Sequence, residues 1–110
     1  MSHKRFQPCI DACSECATEC NHCATSCVQE EHVHHLAKCI QLDLECAAIC
    51  RSAVEMMSLG SNYSRELCDL CAGICEACAG ECDKHSDLKH CKACDDVCRN
   101  CANECGKMAA

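Results

Sequence analysis

Small and apolar positions recur along this chain at alternating steps of three and four, and in three stretches nearly all of them are cysteine. From Cys9 to Cys27, six cysteines (Cys9, Cys13, Cys16, Cys20, Cys23, Cys27) fall at steps of 4, 3, 4, 3 and 4. Residues three and four apart share a helical face, so as a helix this segment carries an unbroken thiol stripe about 27 Å long, at ~1.5 Å per residue. The spacing returns at Cys68, Cys71, Cys75, Cys78 and Cys82, and again at Cys91, Cys94, Cys98, Cys101 and Cys105. A further seam, His32, Leu36, Cys39, Asp43, Cys46, Cys50, Ala53 and Met57, keeps the helical period with fewer thiols.

The pattern predicts four helices, at about 8–29, 32–58, 62–83 and 88–106, in one domain spanning 1–110. Pro8 suits a first helical turn, and the run LGSN at 59–62 supplies a stop. Ser61 or Ser64 is a candidate cap for the third helix and Ser86 or Asp87 for the fourth. Short connections between amphipathic helices imply an all-α fold, an antiparallel up-down-up-down four-helix bundle with a cysteine-lined core. That order gathers Phe6, Ala53, Met57 and Met108 at one pole as an apolar plug. The turns 28–35 and 83–90 meet at the other pole and bring His32, His34, His35, His85 and His90 together there as an entrance.

Composition narrows what can fill such a bundle. Nineteen cysteines stand beside one Phe, one Tyr and no Trp in 110 residues, so cysteine itself must form most of the core. A net charge of −7, from 17 acidic and 10 basic residues, argues against nucleic acid as a partner. The opening MSHKRFQPCID has no apolar run after its basic residues, which predicts neither a signal peptide nor a membrane span and points to the cytoplasm. Secreted disulfide scaffolds are loop-rich, whereas these cysteines keep helical period and number an odd 19. Reduced thiols for a soft metal are the better reading. No CxxC pair sits in a βαβ context and no CxxCxxCxxxCP run occurs, so neither an oxidoreductase nor a ferredoxin is expected, and no catalytic dyad stands out.

Thiolates select monovalent copper, zinc or iron–sulfur clusters, and charge separates these choices. Zinc in four thiolates leaves about two negative charges per site, which repel when several sites stack in one buried tube. Cuprous ions shared between bridging thiolates balance charge one to one, so capacity would approach the cysteine count. The competing assignment is a metallothionein-like zinc or cadmium buffer.

The cysteine spacing of the first, third and fourth segments, the stretch HHLAKCIQLDLECAAIC at 34–50, and ICEACAGECDKH before HCKACDDVC resemble the cytosolic copper storage proteins. The resemblance covers nearly the whole chain. It implies a homotetramer of four-helix bundles, many Cu(I) ions per subunit on the cysteines, and metal passing through a histidine-bearing mouth. His85, His90, His35 and Asp43 are candidate ligands at that entrance. Asp43 occupies a seam position among thiols, where a lone carboxylate costs several kcal/mol unless it is hydrogen-bonded or touches metal. Met57 and Met108 read as apolar plug or as thioether ligands.

Overall fold

A computed structural model describes residues 3–110, which contain four long helices and no strand. A 3-10 turn, His3–Phe6, leads into α1, Gln7–Val28, with Pro8 in the first turn, where a missing N–H costs nothing. A second 3-10 turn, Val33–Leu36, precedes α2, Ala37–Ser58. The helix predicted from residue 32 therefore starts five residues later, because His32 holds a non-helical backbone and the two paired histidines form a tighter turn. Helix α3 spans Ser64–Asp83 and α4 spans Lys89–Ala109, the last continuing past Gly106.

The stop after α2 is a Schellman motif. Gly60 takes φ 65°, Gly60 N–H donates to the Met57 carbonyl, and Ser61 N–H donates to Met56. The capping serines expected for the later helices do not cap. Tyr63 and Leu88 occupy the two N-cap positions, neither with a side-chain cap, while Ser61 Oγ accepts from Tyr63 N–H in the turn before α3.

Thiol contacts establish the antiparallel order directly. Cys9 meets Cys105, Cys16 meets Cys98 and Cys23 meets Cys91, so α1 and α4 run in opposite directions. Cys39 meets Cys82, Cys46 meets Cys75 and Cys50 meets Cys71, which sets α2 against α3 in the same way. Helix α1 also packs on α2 and α3 on α4, closing a ring of four in a rod of 49 × 19 × 17 Å. Every cysteine is buried and free. Alanines at 12, 17, 24, 47, 53, 72, 79 and 102 flank the thiols, and these small side chains let the helices approach closely enough for the sulfurs to touch.

Candidate metal centre

Each seam lines up its thiols by the α-helical period, but contact within a helix follows only one of the two steps. Sulfurs four residues apart lie 3.8–4.0 Å apart, as in Cys16–Cys20, Cys23–Cys27, Cys94–Cys98 and Cys101–Cys105. Contacts between helices are as close or closer: 3.5 Å for Cys9–Cys105 and Cys13–Cys105, and 3.6 Å for Cys20–Cys98 and Cys46–Cys75. Even across the ring, Cys50 lies 3.9 Å from Cys101. The thiols thus form a continuous three-dimensional column rather than four parallel ladders.

Within the column, sets of four sulfurs lie within 4.8 Å of one another, including Cys16, Cys46, Cys50 and Cys75, and Cys20, Cys78, Cys94 and Cys98. Successive sets share members: Cys16 belongs both to the first of these and to a set with Cys20, Cys46 and Cys98. Sharing suits ions bridged by common thiolates better than isolated tetrahedral sites, each of which would need its own four ligands.

At the mouth, the end of α1 and the start of α4 bring Cys23, Cys27, Cys91 and His90 together. His90 Nδ1 lies 3.8, 3.7 and 3.6 Å from the three sulfurs. Its Nε2 is 2.8 Å from Glu30 Oε2. A carboxylate only accepts, so Nε2 carries the hydrogen of that contact, and the ring is held with Nδ1 facing the thiols. Burial raises the Cys91 thiol and pushes Cys27 up to about 11, so these groups are protonated until a metal displaces the proton.

Asp43 sits one layer deeper and is fully buried. It accepts S–H donors from Cys78 at 3.2 Å, Cys94 at 3.4 Å, Cys82 at 3.7 Å and Cys39 at 4.0 Å. Of the two readings of this residue, the metal-free geometry is the hydrogen-bonded one. Burial, reinforced by Cys94, pushes its carboxyl up to about 8.

The other candidate histidines, His85 and His35, make different contacts. His85 reaches Glu81 Oε2 at 3.3 Å, and that glutamate also meets Lys84 at 3.2 Å. His35 is exposed, stacks on His32 with ring centroids 5.9 Å apart, and meets His34 edge-on at 4.2 Å. Glu30 and Glu81 escaped sequence reasoning. Glu81 in the last turn of α3 and His85 just past its end are four apart in sequence, a legible signal, but Glu30 meets His90 only through the tertiary fold. At the opposite pole Phe6, Ala53 and Met57 are buried and Met108 half-buried.

A thiol-filled helical bundle with an imidazole at its mouth is a metal-binding protein of the polythiolate class. This chain belongs to the copper storage protein family, whose family model matches residues 2–110. It is 52% identical to copper storage protein 3 from Bacillus subtilis, solved in its apo form, with a TM-score of 0.89 over 94% of this chain and 98% of that one. A cytosolic copper storage protein from Streptomyces lividans, solved with five coppers, is 33% identical, with a TM-score of 0.93 over 97% of this chain and 93% of that one. The cysteine-rich protein YhjQ of Bacillus subtilis is 52% identical over 85 residues, 77% of this chain and 78% of its own length.

Proposed function

We propose that this protein stores Cu(I) in the cytosol, holding many ions per chain on the thiolates of its nineteen core cysteines. The observation that carries this reading is the continuous column of buried, free, mutually touching thiols. A solved Cu(I)-bound copper storage protein at 52% identity supports the choice of metal. Each ion replaces one thiol proton, so the core stays neutral as it fills; tetrathiolate zinc would add about two negative charges per site. Trapping soft cuprous ions away from water keeps them from redox cycling, and storage rather than catalysis is the role. His90 and Asp43 are candidate additional ligands, since both touch core thiols. His85 and His35 act outside the column, His85 through Glu81.

No helix among the described residues is long and apolar enough to cross a membrane. A homotetramer is the assembly the family resemblance implies, and Leu44 and Leu70, each more than half exposed, supply apolar surface for it. Anaerobic titration of reduced protein with Cu(I), followed by native mass spectrometry, tests these points together. Saturation is expected near one ion per thiol, roughly 15–20 per chain, with one proton lost per ion. A plateau near four or five ions would overturn the bridging scheme in favour of separate tetrathiolate sites.

A further inference from the structure

The copper column is described above in terms of its thiols, yet one sulfur that joins it at the apolar pole is not a thiol. Met57 follows Cys50 and Ala53 on the seam of α2 and is fully buried. Cys68, the first thiol of α3, points its S–H at Met57 Sδ across 3.7 Å. That distance lies inside the 3.5–4.0 Å range of the thiol–thiol contacts throughout the column. Cys9 and Cys105, themselves 3.5 Å apart, neighbour Cys68 in the same layer.

We propose that Met57 is a copper ligand, its thioether joining the Cys68 thiolate to hold one Cu(I) ion at the sealed end of the column. The proposal rests on the storage reading. A thioether is a soft donor suited to Cu(I). With metal–sulfur bonds of about 2.3 Å, two sulfurs 3.7 Å apart subtend about 107° at a shared ion. This is an open angle that leaves room for Cys9 or Cys105 as a third ligand. On binding, the Cys68 proton leaves to solvent and the thioether donates a lone pair without losing a proton. Copper remains monovalent, and the site of one thiolate, one thioether and one cation is neutral, so it adds no charge at the most enclosed end of the core. A plug alone would need only an apolar side chain of this size. The alignment of Sδ with the Cys68 S–H is what filling does not require.

The test uses full-length selenomethionine protein loaded anaerobically to saturation with Cu(I). X-ray absorption at the selenium edge should show a selenium–copper path at bonding distance, with the amplitude of about one selenium in the four methionine positions. Met57→Leu keeps the apolar volume and should abolish that path while lowering capacity by about one ion. The copper edge of the same samples reports the sulfur shell and copper uptake independently. Full uptake with a sulfur shell but no selenium–copper path overturns the Met57 assignment and leaves storage standing; failed uptake overturns storage itself. A path that persists unchanged in Met57→Leu also overturns the assignment, since another methionine then carries it. The parent protein alone decides the question if the variant does not fold.

Discussion

Two aspartates are buried in this bundle, and their surroundings differ. Asp95 has Arg99, one turn along α4, with Nε 2.6 Å from its Oδ1, so its charge is compensated at the rim of the bundle. Asp43 has only thiols around it, and burial pushes its carboxyl up to about 8 from the ordinary 3.8. Folded, metal-free protein therefore keeps a proton on Asp43 that the unfolded chain has already lost. Stability from this group is fully present below about pH 4, falls as pH rises toward 8, and levels off above that. At about 1.4 kcal/mol per pKa unit the change amounts to a few kcal/mol. Asp43→Asn should be more stable than the parent at pH 8 in urea unfolding of reduced apo-protein, with the difference closing toward pH 4. A pH-independent difference would mean the side chain is ionised in the fold. The sequence placed Asp43 on the seam because periodicity assigns a face, but it left open what the carboxylate meets. That depends on which thiols of α3 and α4 arrive opposite, a matter of inter-helix register that a single seam does not encode. His90 is the same kind of case. Its neighbour Cys91 was visible in the sequence, whereas Cys23, Cys27 and Glu30 reach it only because the end of α1 packs beside the start of α4.

At the scale of the helices, the bundle and its thiol stripes were legible because cysteine repeats at helical period with almost no interruption. The ends were not. Of the residues chosen as caps, Ser61, Ser86 and Asp87 lie in the turns and Ser64 opens α3, none of them at an N-cap, and α2 begins five residues late because the preceding turn folds as 3-10. Such choices rest on local backbone energies of about a kcal/mol, which packing overrides. What lets the helices reach sulfur-contact distance is the set of eight buried alanines interspersed among the thiols. Ala79 is fully buried beside Cys78 on α3, so Ala79→Leu adds volume where none is free. It should cost ~1–3 kcal/mol in urea unfolding of the reduced apo-protein. Ala77→Leu on the exposed face of the same helix should stay within about 0.5 kcal/mol of the parent. Equal effects at the two positions would show that the alanines do not set the helix spacing.

The whole molecule is a rod with two unlike ends, and this polarity predicts the route copper takes. At one end Phe6 and Ala53 are buried over the last sulfurs, so a hydrated or chelated ion would have to cross apolar side chains. At the other, His90 is only partly buried and holds Nδ1 within 3.8 Å of three thiols that lead into the column. An imidazole at the surface with softer thiolates inside forms a gradient along which an ion can be handed inward. The four-sulfur sets then overlap from layer to layer, so onward movement needs no step through water. His90→Phe removes the nitrogen ligand and fills its space. It should slow both Cu(I) uptake and chelator-driven removal by about tenfold, corresponding to ~1.4 kcal/mol in the barrier, while total capacity falls by no more than an ion or so. Phe6→Ala should leave exchange at the histidine mouth close to the parent rate. His85→Ala should also change little, because His85 turns to Glu81 rather than to the thiols. Stopped-flow transfer to a chromophoric cuprous chelator reads all three variants. Parent-like rates in His90→Phe together with faster exchange in Phe6→Ala would reverse the direction of travel, making the apolar end the gate and the histidine end the closed one.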